Sequence, residues 1–147
     1  MVFFTNGSMT QNSTRGSMNQ APIMNRDNQN KGCFTLWEKL ARKSEDFGHP
    51  EKFVNDIDKT NWVSMTITIT DYPELFDYLA QKSGNQTGTG GGLTFVDSPW
   101  FMTYNAPIQP VSPEQPDNVQ ILWLYGLHAN EKGKYIHKPM NECSGKE

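Results

Sequence analysis

The sharpest alternation of apolar and polar positions runs over residues 62–70, where Val63, Met65, Ile67 and Ile69 interleave with Ser64, Thr66, Thr68 and Thr70. A period of two with one apolar and one hydroxyl-bearing set predicts a half-buried antiparallel strand. A different period governs residues 34–44. Phe34, Trp37, Leu40 and Ala41 recur at helical spacing, with Glu38 and Arg42 paired four apart on the outer side. Asp46-Phe47-Gly48-His49-Pro50 stops this helix, and residues 51–57 predict a short second one. Residues 73–82 predict another helix. Asp71 is its expected cap, Pro73 suits its first turn, and Leu75, Phe76, Leu79 and Ala80 form its stripe.

Between and around these elements the pattern is weaker. Val2-Phe3-Phe4 predicts a short strand and Thr5-Asn6-Gly7-Ser8 a turn. Residues 8–32 are polar and aperiodic, yet Met9, Met18, Pro22, Ile23 and Met24 point to an ordered loop packed on something. Gly84 to Gly92 predicts a glycine-rich turn. Strands are expected at Leu93–Val96, Trp100–Tyr104 and Val119–Leu127, with Pro107–Pro116 joining the last two. A tight turn at 130–134 then leads to a short strand at Tyr135–His137. The class is α+β: an antiparallel sheet with flanking helices.

Composition changes the picture in one respect. Only 35% of the 147 residues are apolar, below the roughly 45–50% of globular chains, a range that also counts Gly. Mean hydropathy is −0.68. Four Trp and eight Phe nevertheless argue against disorder, because aromatic rings need surface to pack on. A polar chain rich in aromatics fits a piece whose packing partners lie elsewhere. The chain also opens in an apolar strand and closes on Asn141-Glu142-Cys143-Ser144-Gly145-Lys146-Glu147 with no terminal element, so an incomplete internal segment is expected. The net charge of −3 offers no basic stripe for nucleic acid. No apolar run approaches the roughly 20 residues of a membrane span, and no signal peptide is recognisable. Cys33 and Cys143 stand far apart and suit reduced thiols in the cytoplasm.

Three segments are candidates for chemistry. A strand running into Thr5-Asn6-Gly7 lets backbone amides approach a phosphate or a flavin edge, although a plain turn has the same pattern. The loop from Gly84 to Gly92 lacks the Lys-Ser/Thr and the following helix of a phosphate loop, and is expected to be a connector. Asp97 to Pro110 mixes aromatics and Met with Asn105 and Gln109, which suits either an apolar channel with polar groups at its mouth or an ordinary sheet core. His49, His128 and His137 lack metal-ligand spacing and are expected at the surface, while Asp56 and Asp58 are expected to be solvated.

Taken together, several strings resemble the oleate hydratases, also called myosin-cross-reactive antigens. They are Phe3-Phe4-Thr5-Asn6-Gly7-Ser8-Met9-Thr10, Ser13-Thr14-Arg15-Gly16-Ser17-Met18, Gly32-Cys33-Phe34-Thr35-Leu36-Trp37-Glu38-Lys39, Asp56-Ile57-Asp58-Lys59-Thr60 and Lys138-Pro139-Met140-Asn141-Glu142-Cys143. Their order and spacing agree along essentially the whole chain.

The resemblance implies a piece of a larger FAD-binding, Rossmann-like flavoenzyme. It implies the addition of water across the cis-9 double bond of oleate, linoleate and similar acids, giving 10-hydroxy acids without net redox change. Residues 1–32 would be a strand and loop returning to the FAD domain. Residues 33–147 would be part of the substrate-binding α+β domain. Thr5, Asn6, Gly7, Ser8 and Met9 match the segment that returns to the flavin, with Ser8 and the backbone of Gly7 and Met9 as the expected contacts. Thr103, Asn105 and Gln109 lie in the stretch matching the segment that holds the fatty-acid carboxylate. That stretch departs from the family pattern at Pro107 and Val111, neither of which offers a side-chain donor. The acid, the tyrosine and the Gly-rich dinucleotide fingerprint of the family lie upstream of the matched region, so no catalytic residue is assigned. A full-length homodimer is compatible with the resemblance. Two other readings remain: a lipid-binding module without catalysis, and an inert truncated product.

Overall fold

The computed structural model describes residues 5, 10, 12–26, 32–84, 86, 88 and 92–147. By packing, the chain divides into two units, Met1–Asn61 with Asn141–Glu147, and Trp62–Met140. The strand expected at residues 2–4 lies outside the described residues.

In the first unit, helix α1 (Cys33–Ala41) forms as its spacing predicts, and ends shorter than the expected residue 44. Phe34 is buried, and its ring lies 6.3 Å from that of Trp37, which in turn lies 5.3 Å from Phe53. The Trp37 indole N–H donates to the Phe47 carbonyl at 2.6 Å and so ties α1 to the 3₁₀ turn Glu45–Phe47. The single short helix expected at 51–57 is instead two turns, α2 (Glu51–Val54) and α3 (Ile57–Thr60). Val54 closes the first of them with a buried side chain. Asp56 and Asp58 are solvated as expected, pairing with Lys59 at 2.6 Å and with Arg26 at 2.8 Å. The hydrogen bond and charge of Asp56 hold the Lys59 ammonium above its usual pKa. The loop over 12–26 is ordered. Ser17 and Gln20 bridge, and the Ser17 and Met18 carbonyls accept from the Gly145 and Lys146 amides. Cys33 and Cys143 are half-buried and not disulfide-bonded.

The second unit is a four-stranded antiparallel sheet. Strands β1 (Val63–Thr70), β2 (Leu93–Phe95), β3 (Met102–Asn105) and β4 (Val119–Gly126) stand in the order β1-β4-β3-β2. Val63 pairs with Gly126 and Thr70 with Val119, and this unbroken register places every odd residue of β1 on one face. Helix α4 (Glu74–Ser83) covers that face. Phe76, Tyr104 and Leu122 are buried there, with Ile67, Ile69, Leu79, Leu93 and Leu124 packed around them.

Two expectations in this unit need correction. Asp71 does not cap α4. It stands at φ 57°, its amide donates to the Asn118 carbonyl, and its carboxylate accepts from the Asn118 side chain at 2.9 Å. The carboxylate therefore closes the end of the β1–β4 ladder and is not available to the helix. Nor is there a strand at Tyr135–His137. Lys132 bridges to Pro139, the Gly133 amide donates to the Lys138 carbonyl, and Tyr135 projects from the resulting loop 87% exposed. A strand pairs only where a partner lies alongside, and here the chain turns back on itself. Within the glycine-rich segment, the Gly88 amide donates to the Ala106 carbonyl at 2.9 Å, and the Ile108 side chain sits where a Cβ of residue 88 would be.

Candidate functional site

The face of the sheet opposite α4 carries the candidate site, because alternation sends Thr103 and Asn105 there together. Registry places Thr103 beside Thr94 on one side and opposite Tyr125 on the other, with Ser64 beyond. Asn105 lies opposite Trp123, with Thr66 beyond. The Thr94 and Thr103 hydroxyls are 2.8 Å apart and share a hydrogen bond. Trp62 extends the aromatic part, its ring 5.6 Å from Tyr125. The surface is thus a row of hydroxyls and one carboxamide beside Trp62, Trp123 and Tyr125. The Asn105 carboxamide makes no side-chain hydrogen bond to the described residues and is half-buried. Such a face suits an amphiphile, with aromatic area for a hydrocarbon stem and placed donors for a polar head. No carboxylic acid or histidine shares these rows, so strong general acid chemistry would have to come from elsewhere.

The rest of the Asp97–Pro110 stretch has other work. Tyr104 turns into the core, its hydroxyl donating to the Leu79 carbonyl at 3.4 Å. The Trp100 indole N–H donates to the Glu131 carbonyl at 2.9 Å, and Phe101 stacks on His128 at 5.0 Å.

Gln109 is fully engaged. Its amide nitrogen donates to the Pro107 and Ile121 carbonyls at 3.0 and 2.9 Å, and its oxygen accepts from the Ile121 amide at 3.0 Å and from Gln115 Nε2 at 2.8 Å. Both of its donors are spent, so in this arrangement Gln109 shapes the segment and has no donor left for a ligand. Gln115 completes the clasp, donating to the Val119 carbonyl at 2.6 Å and accepting from the Val111 amide at 2.8 Å. Sequence reasoning missed Gln115, though a signal exists. Pro107, Pro110, Pro113 and Pro116 have no backbone N–H with which to pair against β4, and the glutamines between them supply that pairing from their side chains.

Of the expected flavin contacts, Thr5 is exposed, while Asn6, Gly7, Ser8 and Met9 lie outside the described residues. Immediately after them the Thr10 carbonyl accepts from the amide and hydroxyl of Ser13 at 3.2 and 2.7 Å, closing a tight turn. His49 is exposed and paired with Glu51 at 3.1 Å. Among the described residues no group of three or more His, Cys, Asp or Glu side chains could hold a metal ion, and no helix is long and apolar enough to cross a membrane.

The sequence profile of the MCRA family matches residues 1–147. The chain is 39% identical over 153 aligned residues to an oleate hydratase of Streptococcus pyogenes serotype M49 (strain NZ131), a match covering all of this chain and 25% of that relative. It is 31% identical over 153 aligned residues to a linoleate hydratase of Lactiplantibacillus plantarum, covering 99% of this chain and 26% of the relative. The chain therefore spans about a quarter of the length of these curated relatives.

Proposed function

The chain belongs to the MCRA family, and from that premise we propose that it is an internal portion of a FAD-dependent fatty-acid hydratase acting on oleate-like acids. The observation that carries this reading is the match of essentially the whole chain to two proteins named as hydratases of unsaturated fatty acids. The proposed reaction adds a proton to one carbon of the cis-9 double bond and a hydroxyl to the other, giving a 10-hydroxy acid. Electrons and atoms balance with water alone.

Thr5, Asn6, Gly7, Ser8 and Met9 would hold part of the FAD. The hydroxyl, carboxamide and backbone amide groups of this stretch suit an anionic cofactor by their chemistry, and Thr5 is exposed. The flavin would organise the site and its charge. The chain's own contribution is a wall. Trp62, Trp123 and Tyr125 would line the hydrocarbon and keep bulk water from it, while Thr103 and Asn105 would orient the polar end. Gln109, with both donors spent, would fix the Pro107–Pro116 stretch beside them. Holding the alkene in one orientation supports hydration by lowering the entropy cost of the encounter with water. No residue of the chain is assigned the acid or the base.

The test is a full-length polypeptide carrying these 147 residues. It is expected to purify yellow and to convert oleate to a hydroxy acid. Thr103→Val and Asn105→Leu, singly, are expected to raise KM for oleate with little change in kcat. Flavin binding with reduction and no hydration would overturn the hydratase reading. Saturable oleate binding by the isolated 147 residues, with no hydration in the longer polypeptide, would favour a lipid-binding module instead.

A further inference from the structure

The sheet has two edges of unlike character. The β2 edge is three residues long, and shortness blunts it. The β1 edge is eight residues long, and among the described residues no strand pairs with its open side. The Asp71 amide donates to the Asn118 carbonyl at 2.9 Å. Carried back along the register, that bond makes Val63, Met65, Ile67 and Ile69 the residues that exchange hydrogen bonds with β4. Ser64, Thr66, Thr68 and Thr70 then turn their N–H and C=O groups to the open side. All four are exposed, and among the described residues no backbone hydrogen bond reaches them there. Val-Ser-Met-Thr-Ile-Thr-Ile-Thr contains no charge and no proline, and its register has no bulge. Beside it Trp62 and Met65 remain 43% and 37% exposed. Soluble proteins ordinarily protect such an edge with lysine, proline, a bulge or a covering strand.

We propose that β1 is an interior strand of a wider sheet, and that its open edge takes a strand from the same polypeptide, drawn from the three quarters of the relatives' length outside the region matched here. Chain length favours this occupant. A covalently joined strand meets the edge at an effective concentration of about millimolar, far above that of a second copy. An uncharged edge also offers no electrostatic means of selecting a separate partner. The inference rests on family membership and is independent of the hydratase reading.

Residue-resolved amide hydrogen exchange tests it. In the 147-residue chain at low concentration, Met65, Ile67 and Ile69 should exchange slowly and Ser64, Thr66 and Thr68 fast. In the streptococcal oleate hydratase with its matching quarter replaced by these residues, Ser64, Thr66 and Thr68 should slow by about 100-fold or more. The natural streptococcal enzyme, measured at the strand aligned with β1, gives the same reading without reliance on the chimera folding. Fast exchange of the outward amides in the full-length proteins overturns the proposal. Protection in the 147-residue chain also overturns it, assigning the edge to a second copy if the mass is that of a dimer and to one of the chain's own segments if it is that of a monomer.

Discussion

Replacing Gln109 by leucine removes the clasp that fastens the Pro107–Pro116 stretch to β4 while keeping the side chain's approximate volume. Four hydrogen bonds disappear: two with the Ile121 backbone, one with the Pro107 carbonyl and one with Gln115. At about 1 kcal/mol net for each, the upper bound is about 4 kcal/mol. The site is half-buried, so water replaces part of what is lost, and about 2–3 kcal/mol is expected. In a unit the size of Trp62–Met140 that lowers Tm by about 10–20 °C. Gln115→Leu should cost a similar amount. Because the two side chains share one bond of 2.8 Å, the double variant should cost less than the sum of the two by about 1 kcal/mol. Thermal and urea melts followed by tryptophan fluorescence measure all three, with Thr66→Val on the exposed face as the control. A Tm within about 2 °C of the parent for Gln109→Leu would refute the clasp. So would an unchanged melt accompanied by lost oleate affinity, since that result would make Gln109 a ligand contact.

Further outcomes follow from the same contacts. Leu122→Ala empties the centre of the sheet–α4 core and should cost about 2–4 kcal/mol by urea titration. Gly133→Ala places a methyl 2.6 Å from the Trp100 ring and 2.7 Å from the Ile136 carbonyl, and should cost about 1–3 kcal/mol with a change in Trp100 fluorescence. Trp37→Phe keeps the ring stack in the first unit but loses the bond to Phe47; a loss of about 1 kcal/mol, confined to that unit in hydrogen exchange, is expected.

The sequence by itself determined the elements with strong periods. Strand β1 and helices α1 and α4 appear within a few residues of their predicted bounds, because alternation and helical spacing record which face each element buries. The resemblance was legible for a different reason: strings such as Cys33-Phe34-Thr35-Leu36-Trp37-Glu38 identify a family whatever their role in packing. Tertiary structure decided the rest. Asp71 had the residue type of a helix cap, and only the arrival of Asn118 alongside it made it a strand clasp. Tyr135–His137 had strand propensity and no neighbour to pair with. The use of Gln109 and Gln115 depended on β4 running past a segment short of backbone donors. Thr103 and Asn105 share a face through local alternation, but Trp123, Tyr125 and Trp62 join them through the register with β4 and β1, which pairs residues far apart in the chain. Local periodicity encodes which side of an element is buried. What lies against that side is fixed by long-range pairing, and no local pattern records it.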